Sequence, residues 1–209
     1  MFLSRRVRHM KKRYLFVGVG ALLGVILLAV SWKVLAQPYA YQGSLIEPAL
    51  PAAEIESLDQ NGNLFRLSEQ RGKVVLLTFG YTNCPDVCPT TLAKFKQIKN
   101  QLGEQADHTR FVLITVDPER DTPERIQLYL DQFDPSFIGI SGDRSDLVPI
   151  WQNYFVYQAE RDAGSAAGYM VDHTSRIYAI DKNGNLRLTY PIEIGQDAIL
   201  ADVRHLIQE

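Results

Sequence analysis

The sequence feature that most constrains the fold is an apolar run, KVVLLTFG, at residues 73–80. It is uncharged after Lys73, and its β-branched and aromatic side chains are typical of a strand buried on both faces. A second such run, FVLITV, follows at 111–116, and the spacing of apolar residues between the two predicts a helix over about 90–102. Two buried strands joined by a helix predict an α/β protein whose central sheet is covered on both faces.

The rest of the chain adds shorter elements to this unit. Two Asn-Gly pairs, at 61–62 and 183–184, predict hairpins because Asn-Gly supplies the positive φ of tight turns. The other predicted elements are a helix that opens at Thr122, a short strand at 137–141, a short helix at 145–153 that contains an unexpected Pro149, an extended piece at 154–158, a mobile loop at 159–169 and a closing helix at 196–208. This order resembles that of thioredoxin-like domains, with a mixed central β-sheet flanked by helices and an extra N-terminal β-hairpin.

The N-terminal region has a different composition. Six cationic residues precede an apolar run at 14–32: Arg5, Arg6, Arg8, Lys11, Lys12 and Arg13. At about 1.5 Å per residue, this run could cross a hydrocarbon core of about 30 Å. It is longer than the core of a usual signal peptide, and no clear small-x-small cleavage site closes it. We therefore predict one uncleaved transmembrane helix at 14–35.

This interpretation predicts the organisation of the whole chain. The basic residues 1–13 stay in the cytoplasm, 36–50 form a linker, and 51–209 form the folded domain. The domain would lie on the periplasmic face of a bacterial inner membrane. The formal net charge of −2 and the lack of a basic stripe argue against nucleic-acid binding.

The two cysteines of the chain, Cys84 and Cys88, both lie in the segment TFGYTNCPDVCPTTL at 78–92. A disulfide between them would close too small a loop to stabilise the fold much. They follow the first buried strand and precede the first long helix, where reactive groups collect in α/β proteins. The unpaired N–H groups and partial positive charge of a helix N-terminus favour thiolate over thiol.

Three interpretations of the cysteine pair compete. Buried structural cysteines are disfavoured because Pro, Asp and Asn around the pair are typical of a loop. A redox dithiol is the second interpretation, although the spacing is one residue longer than Cys-x-x-Cys. The third interpretation is a soft-metal site, since two thiolates suit Cu(I). Structural zinc is less suitable, because it usually takes four protein ligands and the chain has only 2 cysteines.

A copper site needs a further donor, and imidazole is the natural one. Of the 4 histidines, His9 lies in the basic N-terminal segment, His108 in a polar loop and His205 on the polar side of the last predicted helix. His173 lies in YMVDHTS, directly before a predicted core strand. In a thioredoxin-like sheet this segment passes beside the cysteine loop, so we predict that His173 joins the two cysteines.

Three segments, TFGYTNCPDVCPTTL, VDPERDTPE and YMVDHTS, resemble in this order the Sco/SenC family of membrane-anchored copper chaperones. The resemblance covers residues 54–209 and the N-terminal anchor. It implies a thioredoxin-like fold and copper binding by Cys84, Cys88 and His173. It also implies a role in assembling the dinuclear copper centre of cytochrome c oxidase subunit 2. That subunit would then be the partner of this protein.

The family also has a D-x-x-x-D element, which Asp117 and Asp121 match. They could tune the metal site from outside its ligand set or face the partner. Alternatively, Asp117 makes a turn with Pro118, and Asp121 supports the start of the helix at Thr122.

The sequence thus predicts a copper-binding assembly factor rather than a turnover enzyme. The alternative is a thiol-disulfide oxidoreductase that reduces the cysteines of the oxidase subunit, with Cys84 and Cys88 as the redox-active pair. Both roles can coexist, because a disulfide between the two thiols would remove the metal site. Other copper chaperones or thioredoxin-like reductants are further candidate partners. A peroxide-reducing enzyme is a weaker third alternative, because no basic residue is well placed to activate a cysteine.

Overall fold

The computed structural model of the chain describes residues 20, 22–28, 30–32, 38–165 and 168–209. The described residues do not include 1–13, which contain His9. They also leave out part of the predicted membrane anchor at 14–35. The residues described within the predicted anchor are helical. In the part of the chain that the structure describes, however, no helix has both the length and the apolar character needed to cross a membrane. The elements below belong to a compact unit, Tyr41–Glu209.

A six-stranded mixed sheet forms the centre of this unit. Its strands are β1 (Ser44–Pro51), β4 (Val74–Gly80), β5 (Thr109–Thr115), β6 (Ile138–Ile140), β9 (Arg176–Ile180) and β10 (Asn185–Pro191). Their spatial order is β1-β10-β9-β4-β5-β6. The pairs β4/β5 and β5/β6 are parallel, and the other pairs are antiparallel. Two hairpins stand apart from this sheet, formed by β2 (Glu56–Leu58) with β3 (Leu64–Arg66) and by β7 (Gln158–Ser165) with β8 (Gly168–His173).

Helices cover both faces of the sheet. They are α1 (Val87–Leu102), α2 (Pro123–Asp131), α3 (Arg144–Asn153) and α4 (Gln196–Gln208). The N-cap of α2 is Thr122, whose hydroxyl accepts a hydrogen bond from the Arg125 N–H, as the sequence predicts. Helix α3 runs through Pro149, because burial of its apolar face, including Trp151, outweighs the missing backbone N–H. The mixed α/β architecture predicted from the sequence is confirmed.

The core consists of two apolar layers, one on each face of the sheet. Every residue of β4 is buried, and its side chains alternate between the layers. Val74 and Leu76 pack with residues of α1, α2 and α4, whereas Val75 and Leu77 pack with residues of α3. The β2–β3 hairpin, which the sequence predicts around Asn61-Gly62, covers the second layer with Phe65.

Two segments differ from the sequence-based expectations. Part of the predicted linker at 36–50 is an edge strand, because β1 pairs with β10 from Ser44 onward. The N–H groups of Gln42 and Gly43 donate to the buried carboxylate of Asp202, which fixes the chain just before this strand. The prediction of a mobile loop at 159–169 is wrong, because β7 and β8 form an antiparallel hairpin there. In both segments, pairing with another strand outweighs a local composition that favours loops.

Candidate metal centre

The cysteine loop lies at the end of β4, where the parallel strands of the sheet present their carboxyl ends. Cys84 lies in the loop and is half-buried, whereas Cys88 lies in the first turn of α1 and is only 4% exposed. Gly80, the last residue of β4, lets the Cys88 side chain pack against the end of this strand. A Cβ atom at Gly80 would lie 2.7 Å from Cys88 Sγ, so only glycine leaves room for the sulfur.

His173 approaches the cysteines from the end of β8. Its Nε2 lies 3.8 Å from Cys88 Sγ. One potential ligand atom from each of Cys84, Cys88 and His173 lies within 4.8 Å of the others. Among the described residues, this is the one group of three or more His, Cys, Asp or Glu side chains close enough to hold a metal ion. The structure thus brings together the three residues that the sequence singled out.

The orientation of the imidazole leaves one nitrogen free for a metal. Nδ1 of His173 lies 3.1 Å from the carbonyl oxygen of Thr174. Because a carbonyl oxygen only accepts hydrogen bonds, the proton of the neutral ring belongs on Nδ1. Nε2 then presents its lone pair toward the two sulfurs, and the backbone carbonyl acts as the outer partner that metal-binding histidines usually have.

The two thiols lie in different electrostatic environments. The neighbouring Cys88 thiol, His173 and the N–H groups of Asp86 and Cys88 stabilise the Cys84 thiolate and hold the pKa of Cys84 well below its usual range. The adjacent Cys84 sulfur and burial raise the pKa of Cys88. Of this coupled pair, Cys84 therefore ionises first, while Cys88 keeps its proton until a metal or a base removes it.

Tyr81 connects the cysteine loop to the hairpin that bears His173. Its ring meets the imidazole edge-on, with 5.8 Å between ring centroids. Its hydroxyl oxygen accepts a hydrogen bond of 3.3 Å from the N–H of Val171. Beside it, an open cleft of about 250 Å³ between the cysteine loop and β8 is lined by Cys84 and His173. A small group of a partner molecule can therefore reach these two side chains.

The two aspartates of the D-x-x-x-D element are buried beside the centre, and neither belongs to the group of potential ligands. Asp121 accepts hydrogen bonds from the hydroxyls of Thr82 and Thr115 and from the N–H of Thr82. It therefore anchors the start of the cysteine loop. Asp117 accepts hydrogen bonds from Arg120 and from the Tyr169 hydroxyl, so it supports β8.

The other described histidines lie away from the centre. His108 ends an exposed 3₁₀ turn, and His205 on α4 packs against the ring of Tyr41. Sequence reasoning missed Gly80, Tyr81 and Tyr169 as residues that shape the site. A glycine at the end of an otherwise apolar buried strand was the one available signal, since it indicates a close approach by another group.

A mixed sheet whose first parallel strand ends in a cysteine loop, faced by a histidine from an appended hairpin, defines a thioredoxin-like domain with a potential Cys-Cys-His metal centre. A family model described as SCO1/SenC matches residues 47–208. The chain therefore belongs to the SCO1/SenC family.

Individual relatives agree with this assignment. A SCO2-like protein of Rickettsia prowazekii is 35% identical over 187 residues, which cover 89% of this chain and 90% of the relative. The structure of Bradyrhizobium japonicum ScoI with copper bound matches with a TM-score of 0.69 and 34% identity, covering 76% of this chain and 99% of that one. The solution structure of apo Sco1 from Thermus thermophilus matches with a TM-score of 0.72 and 33% identity, covering 80% of this chain and 98% of that one.

Proposed function

We propose that this protein is a copper-binding metallochaperone, in which the thiolates of Cys84 and Cys88 and Nε2 of His173 hold the metal. The convergence of these ligand atoms within 4.8 Å carries the proposal. Thiolates are soft donors that select Cu(I), and imidazole suits copper in either oxidation state. The copper-bound structure of the Bradyrhizobium japonicum relative supports the choice of metal.

The arrangement suits transfer of copper rather than permanent storage. Two donors come from the junction of β4 and α1, and the third comes from a hairpin outside the central sheet. If His173 moves away, two thiolates remain, and two sulfur donors suffice for Cu(I). The cleft beside Cys84 gives an acceptor a route to the metal. Copper is thus the cargo of the protein.

We further propose that the acceptor is subunit 2 of cytochrome c oxidase, whose dinuclear copper centre the protein helps to assemble. This step rests on family membership. The basic residues before the apolar run at 14–32 support an anchor in the bacterial inner membrane, with the domain on the periplasmic face.

A second candidate function is reduction of a disulfide in the same oxidase subunit. The lowered pKa of the half-buried Cys84 and the raised pKa of the buried Cys88 favour it, since an attacking thiolate and a protected resolving thiol differ in this way. The Cys84 thiolate would attack the partner disulfide and form a mixed disulfide. Cys88, once deprotonated, would attack Cys84. The products are a Cys84–Cys88 disulfide and a reduced partner dithiol, which takes up two electrons and two protons.

Copper titration of the purified, reduced full-length chain tests the first function. We expect about one copper per chain, in both Cu(I) and Cu(II) titrations, and a sulfur-to-copper absorption band with Cu(II). Cys84→Ser and Cys88→Ser should each abolish tight binding. Stoichiometric binding that survives both substitutions would contradict the proposed ligands.

A transfer assay separates the two functions. The copper-loaded chain is mixed with the soluble domain of subunit 2 whose cysteines have been reduced, and the absorption of the dinuclear centre is followed. In parallel, the metal-free dithiol chain is mixed with the oxidised domain, and free thiols on the acceptor are counted. Metal transfer without disulfide reduction supports the chaperone, and reduction without transfer supports the oxidoreductase.

A further inference from the structure

The hairpin that carries His173 lacks support from the main sheet. Within the part of the chain that the structure describes, β7 and β8 pair only with each other. An isolated two-stranded hairpin is at most marginally stable in water. The position of His173 therefore depends on side-chain contacts between this hairpin and the rest of the domain.

A cluster of three residues makes several of these contacts. Arg120 Nε donates to Asp117 Oδ2 at 2.5 Å, and the Tyr169 hydroxyl donates to Asp117 Oδ1 at 2.7 Å. Arg120 Nη1 donates to the carbonyl oxygen of Tyr169 at 2.8 Å, and its guanidinium lies 3.7 Å from the centre of the Tyr169 ring. Asp117 and Arg120 belong to the turn after β5, and Tyr169 belongs to β8. The cluster thus joins the sheet to the hairpin.

The register of β8 connects this cluster to the metal centre. Tyr169, Val171 and His173 alternate along the strand, so they lie on the same face. Val171 is buried on that face, between the two. At about 3.3 Å per residue, Tyr169 lies about 13 Å along the strand from His173. Contacts at Tyr169, together with the hydrogen bond from the Val171 N–H to the Tyr81 hydroxyl, therefore hold β8 against the cysteine loop.

One hydrogen-bond donor of the cluster has no acceptor in the described part of the chain, and this lowers the free energy needed to open the cluster. Arg120 Nη2 is buried and has no hydrogen-bond partner among the described residues. A buried donor without a partner costs free energy, so the folded state does not gain everything that the cluster could give. Opening the cluster would return this group to water.

We propose that Asp117, Arg120 and Tyr169 form a latch and that Arg120 is the positioning residue that holds His173 at the metal centre. The closed latch presents three donors, two sulfurs and one nitrogen. The open latch leaves the two thiolates, a site suited to Cu(I) in transit. This inference rests on the proposed copper function, since it names what regulates the third ligand of that same site.

A matched contact on the same hairpin provides the control. Arg144 pairs with Glu119 of the turn after β5 and with Glu160 of β7, so it also joins the hairpin to the domain. These side chains are 36–49% exposed, and exposed ion pairs contribute little. Arg120, in contrast, pairs with a carboxylate whose side chain is 1% exposed. Arg144→Gln should therefore leave His173 in place.

The experiment compares the full-length wild type with Arg120→Gln, Tyr169→Phe and Arg144→Gln. We expect Arg120→Gln to weaken Cu(II) binding about 10-fold, the low end of the range for outer partners of metal ligands, because Arg120 acts on His173 only through β8. Cu(I) binding, which needs the thiolates, should change less than about threefold by the same reasoning. Tyr169→Phe removes one hydroxyl but keeps the ring, so it tests the latch should Arg120→Gln fold poorly. It should show a smaller change in the same direction.

Two readouts separate the latch from a general loss of stability. Hydrogen exchange of the metal-free chain should speed up at the amides of 168–173 in Arg120→Gln and not in Arg144→Gln. In a double-mutant cycle, Arg120→Gln should have no further effect on Cu(II) binding once His173→Ala is present, because the latch acts through that side chain.

Opposite outcomes would overturn the latch or the function on which it rests. If the wild type binds no copper, the proposed function fails, yet the exchange experiment still tests the latch itself. If the wild type binds copper, and Arg120→Gln binds Cu(II) as tightly with unchanged exchange, the latch fails alone. Additive effects in the cycle would also contradict it.

Discussion

Nε2 of His173 lies 3.8 Å from Sγ of Cys88, although 85 positions of sequence separate the two residues. The contact exists because β9, which follows His173, lies next to β4 in the sheet, and β4 leads into the cysteine loop. Strand order therefore places the imidazole near the sulfurs, and the β7–β8 hairpin sets its final position.

The first prediction concerns the imidazole. His173→Ala should weaken Cu(II) binding by at least about a hundredfold, which corresponds to about 2.7 kcal/mol. Cu(I) binding should fall much less, because two thiolates still satisfy that ion. Competition titrations in each oxidation state measure the two effects, with the exposed His108→Ala as control. Equal losses for both ions would contradict this division of roles.

The second prediction concerns the reactivity of the metal-free thiols. Hydrogen bonds from Cys88, His173 and nearby backbone N–H groups lower the pKa of Cys84 to about 4. The pKa of a free cysteine is about 8.5. Because the thiolate is the reactive form, iodoacetamide should modify Cys84 at pH 6, while the buried Cys88 stays unmodified. Fragmentation mass spectrometry assigns the label. In the unfolded chain, both cysteines should react only as the pH approaches 8.5, and the same profile in the folded chain would refute the prediction.

The third prediction concerns the close approach at Gly80. In Gly80→Ala the new methyl group would lie 2.7 Å from Cys88 Sγ and 3.2 Å from Leu113 Cδ1, so the sulfur must shift. We expect a loss of about 1–3 kcal/mol in the free energy of unfolding, as for other overpacked sites, together with weaker copper binding. Urea unfolding and copper competition measure these changes. Gly195→Ala is the control for copper binding, since its Cβ would have no atom within 4 Å, whereas its effect on unfolding includes loss of the glycine N-cap of α4. Wild-type copper affinity in Gly80→Ala would show that the centre tolerates the shift.

The fourth prediction concerns Asp121 and pH. Burial raises the pKa of Asp121, so the folded state holds this proton more tightly than the unfolded state does. The protonated Asp121 therefore makes its full contribution to the free energy of unfolding below the ordinary pKa of a carboxyl group. This contribution is lost as the pH rises through the raised pKa of the folded state. Asp121→Asn cannot ionise, so the decline of stability with rising pH in the acidic range should become shallower. Urea unfolding from pH 4 to 7 measures this slope, and an unchanged slope would exclude Asp121 as its source.

Much of this fold is predictable because its central strands are continuous apolar runs. The residues of β4 and β5 indicate burial on both faces, and the periodicity of α4 predicts that helix over the observed range, Gln196–Gln208. The site residues are predictable for a related reason. Chemistry in α/β proteins collects at the carboxyl ends of parallel strands, and both cysteines follow such a strand.

The parts that the sequence could not predict depend on contacts between distant segments. The β7–β8 hairpin has a polar, Gly- and Ala-rich composition and forms through cross-strand pairing, such as that of Gln158 with His173. Strand β1 contains prolines and follows the buried Asp202 contact. The Arg120 contacts likewise depend on Tyr169, which is distant along the chain. No local pattern encodes these pairings.

X-ray absorption spectroscopy of the Cu(II)-loaded full-length chain identifies the atoms that coordinate the metal, so it tests the proposed ligand set without relying on affinities. We predict two sulfur donors and one imidazole nitrogen in the wild type, with the nitrogen lost in His173→Ala and a sulfur lost in Cys84→Ser or Cys88→Ser. A copper environment with only nitrogen and oxygen donors, or one that His173→Ala leaves unchanged, would contradict it.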